Sequence, residues 1–552
     1  METLSTKIEA GSTCRVPYAV AGFGGALMSD FAHGVPCAMQ FFPARTWRDV
    51  IAECSTKTYP RAHVASALEA SGRELGAPEE SLAAARLLAD ANTYVVATGQ
   101  QGGFLGGPLL TLHKALTAVK LARQYENEAA GAARFVPVFW VAGDDHDFGE
   151  IDHAYFLRDD GAVARVAAPL NEAEKGRSAS DLFLSQSEES IHALRLELEA
   201  FLGSDGAAEV LSLYASASFE TAFAKLLLKW LGTAGLVVAR SSDLRQFSGA
   251  MLARNVEDYD IVSRLIQEAG VTMRTCAYEP GFSEKLRSAP HFFMAEKRGA
   301  LRGSIQVETN EIGERQFRIR GESERVLPQG ELLEQIRKSP ELFTPSAPLR
   351  PVIQQTIFPV VAAVLGPGEM AYWAQLRTVH EHYGAVWPVI VPRASLTLID
   401  AAAEKAIRKL GLSEAPLDLF LSKEELVRRA TAGGAMAGKI AAHSNAILSE
   451  FDAMRAEIVQ AGAGVDPMLE KLREKFAYEL ARVAEKTGAA LDKSGDAKAL
   501  RAALVSAWVR PKNAPQERTF CCVQFVAKYP NLVDQLLNVI EPDCREHLVV
   551  TT

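Results

Sequence analysis

Apolar positions follow two regimes along the chain. Up to about residue 400, short and nearly unbroken apolar runs alternate with amphipathic stretches; beyond it, apolar residues recur at heptad-like spacing among Ala, Glu, Lys and Leu. Residues 1–90 form a lead-in that ends in the helical segment SLAAARLLADA. The run TYVVA then predicts a strand, TGQQGGFLGGPLL a glycine-rich loop, and LLTLHKALTAVKLARQY an amphipathic helix. FVPVFWVAG has the unbroken apolar character of a strand buried on both faces, so strand, helix and strand together predict a βαβ unit within residues 1–160. From 161 to 344 shorter strands mix with helices and no second glycine-rich loop occurs, which reads as an insertion. RPVIQQTIFPVVAAVLGPGEMAYWAQL then repeats the pattern of strand, tight turn and helix, and VWPVIVPR adds a further apolar run, so that 345–400 returns to an α/β core.

The remainder, 401–552, favours helix by composition. Ile440, Ile447, Phe451, Met454 and Ile458 follow a seven-residue pattern, and Leu469, Leu472, Phe476 and Val483 follow another after the AGAGVD linker. Two antiparallel helices of a short coiled coil satisfy both, with the last ~40 residues returning to the core.

Charge and cysteine content narrow the function classes. With 59 basic and 68 acidic residues the net charge is −9, which argues against nucleic acid or an anionic membrane as the main partner. Seven cysteines without a C-x-x-C pair are too few for a disulfide scaffold, and reduced thiols are expected. The start METLSTKIEAGSTCRVPYAV has no basic segment followed by an apolar one, so an unexported, cytoplasmic protein is expected.

Three clusters could carry chemistry. The loop after TYVVA presents backbone N–H groups and a helix start to an anion, although it has neither the P-loop nor the dinucleotide fingerprint. Its candidate binding residues are Thr98, Gly99, Gln100, Gln101, Gly103 and Gly107, with His113 and Lys114 in the early turns of the following helix. In DDHDFGEIDH, Asp144, Asp145, His146, Asp147, Glu150, Asp152 and His153 crowd the end of a buried strand, where open α/β sheets bind ligands. Such a set suits a hydrolytic metal site, or groups that orient an amine, a ribose or Mg²⁺ and supply a general base. In GPGEMAYW, Gly366 and Gly368 let a ligand approach the backbone, Glu369 stands near a helix start, and Tyr372 and Trp373 could stack on a base or sugar. Arg350 and Arg393 flank this module as candidate partners for phosphate or carboxylate.

Taken together, TGQQGGFLGGPLLTLHKA, PVFWVAGDDHDFGEIDH, LRPVIQQTIFPVVAAVLGPGEMAYWAQL and the late QERTF resemble the cysteine-adding family of bacillithiol biosynthesis, BshC. The resemblance implies a Rossmann-like core of the nucleotidylyltransferase type, an inserted connecting domain, and a helical coiled-coil domain that supports a homodimer. The reaction it implies joins cysteine to the amine of glucosaminyl-malate to form the amide of bacillithiol, with ATP and Mg²⁺. The glycine loop before His113 and the GDDHD strand end are also similar, more distantly, to nucleotide-binding elements of cysteinyl- and methionyl-tRNA synthetases. That likeness implies activation of the carboxylate as an adenylate. On this reading 98–114 and 366–373 hold nucleotide, and Asp145, His146 or Asp147 assists the attacking amine. No tightly held metal is required. Two rivals are a metal-dependent hydrolase or deacetylase built on the acidic cluster and a non-catalytic coiled-coil scaffold.

Overall fold

A computed structural model of the chain describes residues 11–552, apart from 145–147, 159–160, 172–175, 186, 284–285, 287, 432–434 and 463. Its centre is a five-stranded parallel sheet of β1 (Thr93–Gln101), β2 (Arg134–Ala142), β3 (Val237–Arg240), β4 (Val360–Leu365) and β5 (Val389–Pro392). These strands are rich in Val and Ala and almost wholly buried, as a sheet covered by helices on both faces requires. Helix α1 (Leu110–Ala129) links β1 to β2, and α2 (Pro367–Trp373) follows β4. The spatial order is β3-β2-β1-β4-β5, with every neighbouring pair parallel. That is the 3-2-1-4-5 order of a doubly wound sheet, and its direction of growth reverses between β1 and β4. A crevice therefore opens beyond the carboxyl ends of those two strands.

Two expectations need correction. β3 falls inside the span 161–344 assigned to the insertion, yet it pairs with β2 as the edge of the core sheet. Its four residues, VVAR, are too short a run to declare which sheet they join. Of the apolar stretch after Leu349, only Val360–Leu365 is strand; Arg350–Ile357 is a helix with Pro351 in its first turn, where proline's fixed φ and missing N–H cost nothing.

The chain between β3 and β4 contains a long helix, Gly249–Thr275, and an antiparallel sheet ordered Glu324–Pro328, Arg315–Arg320, Gly303–Thr309, Phe292–Met294, Phe343–Pro345. A third sheet joins remote parts of the sequence. Glu546–Thr551 lies between Thr13–Pro17, antiparallel to it, and Leu396–Ile399, parallel to it.

The heptad segments form an antiparallel hairpin of α3 (Ala435–Gln460) and α4 (Asp466–Val509). Arg455 pairs with Asp466 at 2.7 Å, Arg473 with Asp452 at 2.5 Å, and the rings of Phe451 and Phe476 meet edge to face. Exposed pairs of this kind add little stability, so the hairpin depends on its apolar seam and its root. At the root, Ala502, Val505, Trp508 and Val509 are buried against the body. Farther out, Ile447, Met454, Leu472 and Phe476 remain 40–51% exposed, an apolar stripe only partly covered among the described residues. Among the described residues no helix is long and apolar enough to cross a membrane.

Candidate active site

The crevice between β1 and β4 holds a cavity of about 310 Å³ whose lining includes Gly99, Gln100, Gln101, Lys114, Arg350, Gly366, Gly368, Glu369, Tyr372, Arg393 and Arg518. A second cavity of about 230 Å³ adjoins it and is lined by Gly103, Gly107, His153 and Tyr155, among others. The two share Gln100, Gln101, Leu110, Glu150 and Arg518, so they form one cleft with the glycine loop and the first turn of α1 along its side.

Lys114 is the centre of the floor. It is 3% exposed, and its ammonium donates to Gly99 O at 2.8 Å and Gln100 Oε1 at 2.9 Å while pairing with Glu369 Oε2 at 2.5 Å. Burial lowers its pKa and Glu369 opposes that shift. The same Glu369 oxygen accepts from Gly366 N at 2.8 Å, so this residue caps α2 and anchors the lysine at once. β1 and β2 are packed so closely that a Cβ at Gly99 would lie 2.6 Å from Trp140 O, which excludes any other residue there.

Behind the floor lies a buried carboxylate that the residue-by-residue reading of the sequence did not single out. Glu517, 1% exposed, accepts from Arg393 through both oxygens at 2.8 and 2.9 Å. It also accepts from Ser395 Oγ at 2.9 Å and Leu396 N at 3.0 Å, and meets His113 Nδ1 at 3.0 Å. Burial alone would raise its pKa, but the Arg393 guanidinium and the His113 contact hold it well below the usual carboxylate range. Its helix, Gln516–Thr519, is fixed to the sheet because Gln516 exchanges hydrogen bonds with the backbone of Leu398. The following residues stitch the glycine loop in place: Leu109 N donates to Phe520 O at 2.8 Å and Cys522 N to Gly107 O at 3.0 Å. Arg518, one step past Glu517, is exposed and points into the cleft junction, with no side-chain partner among the described residues.

Several expected binding residues do other work. Thr98 donates to Val364 O at 2.9 Å and ties β1 to β4 inside the sheet. His113 is fully buried against Glu517, burial lowers its pKa, and it does not line the cleft where a ligand anion would sit. Arg393 lines the cleft, but both terminal nitrogens are committed to Glu517 and its ring contact is Phe23, 4.7 Å away. Trp373 is a core aromatic against Trp387 and His380 rather than a stacking platform. Asp144 lies outside the cleft, bound by Arg245 at 2.6 and 2.8 Å. The catalytic candidates Asp145, His146 and Asp147 lie outside the described residues. Tyr372 does line the cleft, its hydroxyl accepting from Arg350 at 2.9 Å.

Counting Glu517 behind the wall, four basic side chains (Lys114, Arg350, Arg393, Arg518) face three acidic ones (Glu150, Glu369, Glu517). Among the described residues basic groups thus outnumber acidic ones by one, and those beside bare glycine backbone suit a phosphate or carboxylate. A larger cavity, about 890 Å³, lies at the root of the hairpin between Arg165, Phe201, Trp508 and Lys528. No strand of the central sheet contributes to its lining, and its Lys528 is already paired with Asp400 at 2.9 Å. The switch-point cleft is the stronger candidate because loop, helix start and strand ends converge there.

Comparison with known proteins agrees with this architecture. The family model "Bacillithiol biosynthesis BshC, N-terminal Rossmann-like domain" matches residues 21–394, and "Bacillithiol biosynthesis BshC, C-terminal coiled-coil domain" matches 396–552. A Koribacter versatilis protein named "Putative cysteine ligase BshC" is 29% identical over 97% of this chain and 99% of its own length. A protein of the same name from Heliobacterium modesticaldum is 32% identical over 74% of this chain and 76% of its own. Another from Geobacillus thermodenitrificans is 28% identical over 95% and 97%.

Proposed function

The chain belongs to the BshC family of bacillithiol biosynthesis, and from that premise we propose that it is a cysteine ligase. It joins the carboxylate of L-cysteine to the amine of glucosaminyl-malate, with ATP and Mg²⁺, in the cleft between β1 and β4. The observation that carries this reading is the glycine-lined cleft at the switch point of the sheet, with Lys114, Arg350 and Arg518 among its lining residues.

All the substrates of such a reaction carry anionic groups, and an amide does not form at a useful rate from a free carboxylate at neutral pH. ATP, when bound, supplies the activation. The wall at Gly366 suits a phosphate chain because Lys114 and Arg350 line the cleft beside it. Gly99, Gly366, Lys114 and Arg350 are the residues to hold it. Arg518, exposed at the junction of the two cavities, is suited to a carboxylate of the malate group. Asp145, His146 and Asp147 follow Asp144 beyond β2, and we assign them to the attacking amine. The exposed stripe Ile447, Met454, Leu472 and Phe476 is the surface through which two copies associate.

The test is to incubate the purified protein with cysteine, glucosaminyl-malate, ATP and Mg²⁺ and follow bacillithiol by thiol labelling and mass spectrometry. ATP-dependent product is expected. Absence of product from folded protein saturated with all substrates overturns the proposal.

A further inference from the structure

Cys37 and Cys276 are 239 positions apart in sequence, yet the fold brings their sulfurs to 2.8 Å. Cys37 is exposed on the short helix Pro36–Met39, and Cys276 is partly exposed at the end of Gly249–Thr275. A covalent S–S bond is ~2.05 Å long, so closure needs a movement of less than about 1 Å. Of the other five thiols, Cys14, Cys54, Cys521 and Cys522 are buried, and Cys544 is partly exposed but has no second cysteine sulfur against it among the described residues.

The pair sits on a seam that reaches the cleft. Gln40 Nε2 donates to Cys276 Sγ and to Cys37 O, both at 3.0 Å, and Tyr278 Oη donates to Asp30 at 2.7 Å across the same seam. On one side, Gly24, thirteen residues before Cys37 and one helix away from it, meets α2: a Cβ there would lie 3.1 Å from Pro367. On the other, the chain beyond Cys276 lies against the same helix. A Cβ on Gly281 would lie 2.4 Å from Tyr372 N, and the Phe282 ring packs 5.4 Å from that of Tyr372.

We propose that Cys37 and Cys276 form a reversible dithiol–disulfide pair, oxidised by low-molecular-weight disulfides, which staples together the two segments that flank α2. One thiolate attacks a sulfur of the small disulfide and releases a small thiolate, leaving a mixed disulfide on the protein. The second cysteine thiolate attacks the first cysteine's own sulfur in that mixed disulfide and releases the other small thiolate. The two protein thiols lose two protons and two electrons, and the small disulfide becomes two thiols. The assignment is independent of which reaction the cleft performs.

The experiment treats the native full-length protein with glutathione disulfide, blocks remaining thiols, and maps peptides without reduction. Expected are a fall of two in the titratable thiols from the seven present, a Cys37–Cys276 cross-linked peptide, and full recovery with dithiothreitol. Cys276→Ser is expected to trap glutathione on Cys37, which removes the cross-link without requiring any change of fold. Amide exchange across Pro367–Trp373 is expected to slow in oxidised wild type and not in Cys37→Ser. Folded protein in which both cysteines remain blocked by alkylation, or carry glutathione without cross-linking, overturns the proposal. So does cross-linking confined to other cysteines.

Discussion

Glu517→Gln is the substitution from which most is learned about how the cleft is held. The change keeps the volume of the side chain and removes its charge, so no cavity contributes. In the wild type both carboxylate oxygens face donors: two Arg393 nitrogens, Ser395 Oγ, Leu396 N and the His113 contact. An amide would turn an NH₂ toward at least one of those donors and leave the 2%-exposed Arg393 guanidinium without its counter-ion. Breaking a buried pair from one side costs about 3–5 kcal/mol. If the whole chain unfolds as one unit, that corresponds to a fall of roughly 3–4 °C in the melting midpoint. Equilibrium urea unfolding of wild type, Glu517→Gln, Arg393→Met and the double variant measures the loss and its coupling. A coupling energy of about 2 kcal/mol or more is expected, because Arg393→Met removes the orphaned charge that makes Glu517→Gln costly. A loss below about 1 kcal/mol, or additive single effects, would refute the reasoning that this carboxylate neutralises a buried arginine.

Arg518→Ala should leave stability within about 0.5 kcal/mol, since the side chain is exposed, while raising KM for glucosaminyl-malate by roughly 10–100-fold through loss of a charge-assisted hydrogen bond; steady-state kinetics and a melting curve check both. Glu220 is buried and its pKa is pushed by burial up to about 7, with Ser242 and Arg245 opposing, so its folded pKa lies above the unfolded value. An acid shifted in that direction favours the fold at low pH and loses the benefit as pH rises from ~4.3 towards 7. Glu220→Gln should therefore stabilise the protein increasingly over that interval in pH-dependent unfolding, and a pH-independent difference would contradict it. His291, His380 and His547 are held down to about 4 by burial and stay neutral when folded. The unfolded chain binds protons first, so each should cost about 2 kcal/mol of stability at pH 5 relative to neutral pH; acid unfolding that sets in only below pH 4 would contradict the neutral assignment.

How much of this was legible in the sequence depended on whether the signal was local. The parallel strands at TYVVA, FVPVFWVA and VVAAVL, the loop between β1 and α1, and the heptads of α3 and α4 are all written in adjacent residues, and the structure carries them. The short strand VVAR was not, because joining the core sheet is decided by β2, nearly a hundred residues earlier. The cleft residues Lys114, Glu369 and Tyr372 stood out by their place beside glycine turns. Burial, which no short motif encodes, moved His113, Trp373 and Asp144 out of contact with ligand. Glu517 and Arg518 sit in QERTF, a segment quoted for its resemblance but silent about which side chain turns inward. The role of Glu517 arises from contact with His113, some four hundred positions away, and that of Arg518 from the two cavities it lines.

The most direct test of the switch-point cleft is amide hydrogen exchange on the full-length protein with and without glucosaminyl-malate, cysteine and ATP. Protection is expected in 99–107, 366–369 and 516–519, the segments that line the cleft, with the antiparallel strands at 303–328 unchanged. Protection confined to the hairpin root around Trp508 and Lys528, with those segments unaffected, would move the ligand site to the larger cavity and contradict the assignment.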